Sequence, residues 1–457
     1  MNEKFMYSNK KHIHFIGIGG VNMSSLAKVM HERGVLVTGS DRNRSALTEE
    51  LENLGIKIYY SHAPENIDGA DLVVYTAAIS RDNPEFMAAE KTVEMAERSI
   101  FLGQLMRAYK FPCCISGTHG KTTTTSMAGI MTYDAGLDPT VMVGGGVKEL
   151  GGNNLVIGNS DVFVTESCEY VESFLDFFPE TAIILNVDED HLDYFSGIDH
   201  IISAFKKFSK LVPENGCIIV NGDDENSMKS VIGAVAPIIT FGLTDTCDYY
   251  ATNIKFNNRN FATYTVMHKG EALAEISLSV PGIHNVLNSL SVFIYGVRLG
   301  IQTESIAKSL KKFTGSVRRF EEKGEYNGAV LIDDYAHHPT EIKATMASAK
   351  NFEGRKITAV FQSHTYTRTK ALLHEFAKSL LPADEIIVTD IYAAREKDLG
   401  EVHATDLVKL LEAEGKDVKY ISAFEDIAEY LKKIAAPDRL IITIGAGNVF
   451  KILDLLK

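Results

Sequence analysis

The chain has 457 residues, enough for about three domains, and its 45% apolar and 23% charged content is ordinary for a soluble globular protein. A formal charge of −14 argues against a nucleic-acid scaffold, because an acidic surface repels phosphate backbones. Any anion must therefore be bound at local glycine loops and a few placed Lys or Arg. The five cysteines, Cys113, Cys114, Cys168, Cys217 and Cys247, form no CxxC pair and have no histidine at zinc spacing, so they read as small buried hydrophobes in a reducing compartment. The longest early apolar run, Ile13 to Ile18, is too short for a signal peptide or membrane span, which points to a cytoplasmic protein.

In chain order, His12 to Gly20 reads as a strand ending in glycines. A helix from Met23 to Arg33 and a strand from Val35 to Thr38 follow, the latter running into Gly39-Ser40-Asp41. An acidic residue ~20 positions after a glycine loop is where dinucleotide-binding folds place a ribose contact. The third glycine of that fingerprint is replaced by Asn22, which weakens a nicotinamide reading, but Gly17, Gly19 and Gly20 still leave the backbone open to a pyrophosphate. The strand Leu72 to Tyr75 and a helix from Pro84 to about Glu97 complete the unit.

The stretch ISGTHGKTTTTSMAGIM, 115–131, is the strongest signal. Phe111 to Ile115 reads as a buried strand and Lys121 onward as a helix, with Gly117-Thr118-His119-Gly120 between them. Backbone N–H groups and the positive helix end make such a loop a phosphate cradle. Lys121 would reach the outer phosphates and the Thr122 hydroxyl could ligate magnesium. Ile115 stands where the common spacing wants a further glycine, so the loop is a shortened variant.

Strands Asp161 to Thr165, ending at Glu166, and Thr181 to Val187, ending in Asp188-Glu189-Asp190-His191, suit a parallel sheet whose ligands bind at strand carboxyl ends. Glu166 and His191 near Thr122 could hold a divalent ion. A solvated acidic turn is the alternative, and Glu169 rivals Glu166. A helix Asp199 to Leu211 and a strand Cys217 to Val220 follow; Tyr249 to Val280 alternates with period two, an antiparallel hairpin pattern. A glycine-led helix over 281–300 carries His284, Asn285 and Asn288 in its first turns.

From Thr314 a third α/β block has strands at Ala329 to Ile332, Ile357 to Phe361, Glu385 to Thr389, Val418 to Ile421 and Leu440 to Ile444. Arg318 or Arg319 could clamp a phosphate with its planar fork, and Asp333-Asp334 could accept from a ribose. His337 and His338 precede a proline-led helix, and His364, Tyr366 and Arg368 follow a strand. The reading is α/β throughout, with three domains at 1–108, 109–313 and 314–457.

The segments HFIGIGGVNMSSLA, DNPE, SGTHGKTTT, PGIHNVLN, SVRRFE, DDYAHHPTE, FQSHTYTRT and GAGN, in this order along nearly the whole chain, resemble the Mur ligase family, and within it the alanine-adding branch. The resemblance implies a Rossmann-like N-terminal domain for a UDP-sugar, a P-loop-type central ATPase domain and a Rossmann-like C-terminal domain. It implies an ATP-dependent ligase of peptidoglycan precursor synthesis that joins L-alanine to UDP-N-acetylmuramate through an acyl phosphate, with magnesium, as a monomer or weak homodimer.

By motif match, Gly17, Gly19 and Gly20 would meet the UDP pyrophosphate and Asp41 the uridine. Gly117, Thr118, His119, Gly120, Lys121, Thr122 and Thr123 would serve ATP phosphate, with Thr122, Glu166 and His191 at metal. His284, Asn285 and Asn288 would lie at the adenine, Arg319 at the phosphates and Asp334 near the ribose. His338, Tyr366 and Arg368 fall on the alanine side. Relatives carry a carbamylated lysine near Lys206 and Lys207; here these read as surface lysines. A tripeptide-recycling ligase, a nicotinamide-dependent dehydrogenase and a non-catalytic UDP-sugar binder are the rival readings.

Overall fold

The computed structural model describes residues 5–456 apart from 193, 258, 316, 353 and 395; Ser316, the first residue of SVRRFE, thus lies outside the described residues. Three sheets follow one another along the chain. The first contains β1 (His12–Ile16), β2 (Leu36–Ser40), β3 (Lys57–Tyr59), β4 (Leu72–Tyr75) and β5 (Glu94–Glu97), all parallel in the order β3-β2-β1-β4-β5. The order reverses between β1 and β4, and a ligand crevice opens outside the strand ends at such a point.

The helix expected over 84–97 does not exist as one element. Asn83 caps a helix Pro84–Thr92 through its Oδ1, which accepts from the N–H of Glu85 and Phe86. Thr92 and Val93 are β-branched, Val93 is extended, and β5 then pairs with β4 before a new helix, Arg98–Met106. Ala96 of β5 is buried, so this short edge strand is held by packing that no local pattern announced.

The central sheet has ten strands: β6 (Phe111–Ser116), β7 (Thr140–Met142), β8 (Leu155–Val156), β9 (Val162–Ser167), β10 (Thr181–Ile184), β11 (Cys217–Asn221), β12 (Ile238–Gly242), β13 (Tyr249–Phe256), β14 (Phe261–His268) and β15 (Glu271–Pro281). Their order is β15-β14-β13-β12-β11-β10-β6-β9-β7-β8. The expected hairpin is a three-stranded antiparallel meander, β13 to β15, joined to β12 in parallel. β6 lies between β9 and β10, so the loops after these three strands open side by side.

The third sheet contains β16 (Glu321–Tyr326), β17 (Ala329–Asp334), β18 (Lys356–Phe361), β19 (Glu385–Val388), β20 (Asp417–Tyr420) and β21 (Arg439–Ile444) in the order β16-β17-β21-β18-β19-β20. Only the edge strand β16 is antiparallel, and the sequence pattern does not announce it.

The first two units share a core, in which Phe15 and Phe101 continue into Phe163 and Phe174. They meet tightly at Gly103, on the helix Arg98–Met106. A methyl group there would overlap the carbonyl oxygen of Asp176 and stand 2.8 Å from its carbonyl carbon. Gly103→Ala is expected to destabilise the protein by about 3 kcal/mol, since the backbone must move to relieve overpacking; a thermal melt within a degree of the parent would contradict this close packing. Among the described residues no helix is long and apolar enough to cross a membrane.

Candidate active site

The phosphate loop leaves β6 through Gly117 (φ 142°) and enters the helix Lys121–Asp134 through Gly120 (φ 87°). Both angles lie in the region that favours glycine, and a side chain at Gly120 would come within 2.8 Å of Asn288 Oδ1. Asn186, just beyond β10, pins the loop: its Oδ1 accepts from the His119 N–H at 2.8 Å and its Nδ2 donates to the His119 carbonyl at 3.0 Å. The sequence alone does not single out Asn186, because its role exists only once β10 lies beside β6.

Lys121 donates to the carbonyl oxygens of Gly117 and Thr118 and lies 3.0 Å from Glu169 Oε2. Glu169, which the sequence offers as a rival to Glu166 for metal, is only 2% exposed and is the ion-pair partner of Lys121 instead. Glu166 lies within β9 rather than just beyond it. It accepts from the Thr122 hydroxyl at 3.2 Å and from the Gly144 N–H at 2.5 Å. Burial raises its pKa against the pull of these donors, Lys121 and Arg319.

His191 (φ 53°) is placed differently from a simple strand-end ligand. Its ring packs on Tyr170 at 4.6 Å between centroids, with Asp190 Oδ2 3.9 Å from Nε2. Among the described residues, three metal-type donors come within 4.8 Å of one another at His119, Asp188 and His338. Nδ1 of His338 accepts from the Thr340 N–H at 3.3 Å, so in the neutral ring Nε2 carries the proton and offers no lone pair. Burial disfavours a charged His119, yet the Asp188 carboxylate 3.6 Å from its Nε2 and the Glu341 carboxylate 3.3 Å from its Nδ1 outweigh it and push its pKa up to about 9. This cluster therefore suits a held imidazolium better than a metal ion.

A cavity of about 500 Å³ opens between the central and third units. His119, Gly120, Thr122 and Thr123 reach it from the phosphate loop, and His284, Asn285 and Asn288 from the helix Ile283–Arg298. Burial, and next the Arg319 charge, lower His284 to about 4, so a neutral ring faces the cavity. Asn221, Asp224 and Asn226 also line it. They belong to NGDDEN at the end of β11, a polar strand end of the kind that marks Asp334 and the one signal that could have found them.

The two arginines separate cleanly. Arg318, at φ 62°, donates to Asp333 Oδ2 at 3.0 Å and to the carbonyls of Gly447 and Gly445 at 3.1 and 2.6 Å, with its guanidinium 4.4 Å from the Phe450 ring centre. It holds the fold together. Arg319 faces the cavity, with Nη1 3.5 Å from Glu341 Oε1. Asp334 lines the same cavity and accepts from the N–H of Ala336 and Phe320 at 2.7 and 2.9 Å; burial pushes its carboxyl up to about 6 against the pull of Arg319.

Of the residues placed on the alanine side, Arg368 reaches across to Asp190, with Nη2 2.8 Å from Oδ1, and lies 3.2 Å from His364 Nδ1. His338 caps the helix Pro339–Ala349 and stacks near His119, with ring centres 4.9 Å apart. Tyr366 stands outside this group: its N–H donates to Glu396, and burial followed by Asp398 raises its hydroxyl. Lys207 pairs with Glu172 at 2.8 Å on the surface.

A second cavity, about 300 Å³, lies at the reversal point of the first sheet. Gly17 and Asp41 line it, and Gly19 donates its N–H to Asp41 Oδ2 at 3.0 Å, while Gly20 precedes the helix Val21–Glu32. Asn22 is exposed in the first turn of that helix. Asn83, from the DNPE segment, lines it too, as do Arg42, His62 and Ser80, which no motif in the sequence marks. Behind them Glu85 is fully buried; burial alone would raise its carboxyl, but the nearby His14 ring and hydrogen bonds to Ser40, Asn66 and His62 hold it at about 2.

Residues 12–110 match the catalytic domain of the Mur ligase family, 115–296 the Mur ligase middle domain and 318–447 the Mur ligase glutamate ligase domain. The chain is 48% identical to the UDP-N-acetylmuramate–L-alanine ligase of Caldanaerobacter subterraneus subsp. tengcongensis over 97% of its own length and 96% of that protein's. It is 49% identical to the enzyme of the same name from Acetivibrio thermocellus, covering 97% and 94%. Among solved structures it is similar to the UDP-N-acetylmuramate–alanine ligase of Thermotoga maritima, with TM-score 0.83, 30% identity and 98% of both chains covered. The murein peptide ligase of Psychrobacter arcticus aligns with TM-score 0.75, 25% identity and 98% of both chains.

Proposed function

The chain belongs to the Mur ligase family, and from that premise we propose that it joins L-alanine to the lactyl carboxylate of UDP-N-acetylmuramate as ATP is cleaved to ADP and phosphate. The observation that carries this reading is the meeting of the phosphate loop, Glu166 and Arg319, contributed by two domains, beside a 500 Å³ cavity. A phosphoryl-transfer site needs little else from the protein than this concentration of placed charge.

ATP fits the large cavity, with its base toward His284, Asn285 and Asn288, its ribose toward Asp334 and its phosphates over Gly117 to Thr123. We place the UDP end of UDP-N-acetylmuramate at the smaller one, its pyrophosphate over Gly17, Gly19 and Gly20 and its uridine toward Asp41. The sugar carboxylate attacks the γ-phosphorus and ADP leaves. The neutral amine of alanine then attacks the acyl carbon, and phosphate departs with one former carboxylate oxygen. Lys121 and Arg319 spread the developing charge, while Asp190–Arg368 and Asp188–Thr340 close the cleft against water.

Thr122 and Glu166 offer the hard oxygen donors that magnesium takes, and a buried carboxylate held by a hydroxyl and an amide fits a cation; we place His191 with them on the resemblance. Magnesium supplies neutralisation of the phosphate charge. We place Arg368 and His338 at the alanine end, and Tyr366 at its edge. We further propose that the enzyme works in the cytoplasm, as a monomer or weak homodimer. Mass spectrometry of a reaction with ATP, magnesium, UDP-N-acetylmuramate and L-alanine should show the sugar nucleotide gaining one alanyl residue. A product formed only with a tripeptide acceptor would move the chain to the recycling branch, and no product with either would overturn the reading.

A further inference from the structure

Glu341 is the third residue of the helix Pro339–Ala349, where the helix dipole favours a negative charge, and its side chain is 13% exposed at the edge of the large cavity. Its two oxygens are used differently. Oε2 accepts from the His337 N–H at 3.0 Å and lies 3.3 Å from His337 Nδ1, which anchors the carboxylate to its own segment. Oε1 lies 3.3 Å from His119 Nδ1 and 3.5 Å from Arg319 Nη1. One oxygen thus holds a phosphate-loop imidazole from the central domain and the cavity-facing guanidinium of the C-terminal domain. Among the described residues Arg319 has no other ion-pair partner within 4.0 Å.

We propose that Glu341 is a positioning residue for phosphoryl transfer: its carboxylate fixes His119 and Arg319 side by side across the closed cleft, so that both point at the nucleotide phosphates. The proposal rests on the ATP site described above. Two cations drawn to one oxygen repel each other once that oxygen loses its charge, so the arrangement depends on the carboxylate and not on its shape. The groups facing His119 are Glu341 and Asp188 in contact, Asp190 at longer range, and the His338 ring. Removing the Glu341 charge leaves Asp188 as the only acid in contact.

Glu341→Gln is expected to lower kcat by ~10–100-fold, the usual loss on removing an outer partner of a catalytic group, and to raise the KM for ATP while that for UDP-N-acetylmuramate stays put. Glu341→Asp, which keeps the charge, should recover most of the activity. In histidine-labelled NMR, with the His119 signal assigned by a His119→Asn variant, the titration midpoint should fall from about 9 toward the ordinary ~6.5 in Glu341→Gln.

A merely structural glutamate would lower the melting temperature of both variants and leave the KM split and the His119 midpoint unmoved. That result, or equal impairment of both variants, or full activity in Glu341→Gln, would overturn the proposal. An inactive parent enzyme would sink the ligase reading instead; nucleotide affinity and the His119 midpoint, both read without turnover, would still judge Glu341.

Discussion

Lys121→Met is expected to lower the ligase rate by about 10³-fold, the scale of losing a preorganised charge at a developing anion, and to destabilise the fold by about 3–5 kcal/mol. The two losses have different origins. In the resting protein Lys121 is the charge partner of Glu169, which is 2% exposed, so removing the lysine leaves a buried carboxylate unpaired. Lys121→Met/Glu169→Gln should regain most of the stability in urea denaturation and none of the activity. A double variant that turns over, or a single variant of parental stability, would contradict the pairing seen here.

Arg319 and its neighbour Arg318 should fail in opposite ways. Arg319→Lys keeps the charge but loses the planar fork, and kcat should fall by ~10²–10³-fold with a melting temperature near the parent's. Arg318→Lys should mainly lower the melting temperature, because its guanidinium ties Asp333 to the carbonyls of Gly445 and Gly447 after β21. Steady-state kinetics and a thermal melt on each variant separate the roles; a stable, slow Arg318 variant beside an active Arg319 variant would reverse the assignment.

That contrast marks where the sequence stops being legible. The chain shows two adjacent arginines after a glycine, and only the left-handed turn at Arg318 decides which of them faces inward. The phosphate loop could be read because glycine is demanded by backbone angles at Gly117 and Gly120, a local constraint. Glycine and acidic strand ends likewise exposed Asp41, Glu166 and Asp334. By contrast the short strands β5 and β7 and the antiparallel edge strand β16 lie at or near sheet edges and owe their pairing to tertiary packing, and helix-compatible residues in Glu94–Glu97 hid the first of them. The roles of Asn186, Glu169 and Glu341 stay hidden in the sequence for one reason: each acts on a group distant in the chain, 67, 48 and 222 residues from its partner in the phosphate loop. The order of three α/β units was readable, since each repeats strand, polar turn and helix.

The sugar carboxylate is expected to be phosphorylated itself before alanine attacks. This is tested most directly with UDP-N-acetylmuramate carrying 18O in that carboxylate, with ATP, magnesium and L-alanine, and mass analysis of the phosphate released. Each phosphate should carry one 18O atom, because the acyl carbon–oxygen bond breaks when the amine attacks. Unlabelled phosphate accompanying amide formation would contradict it.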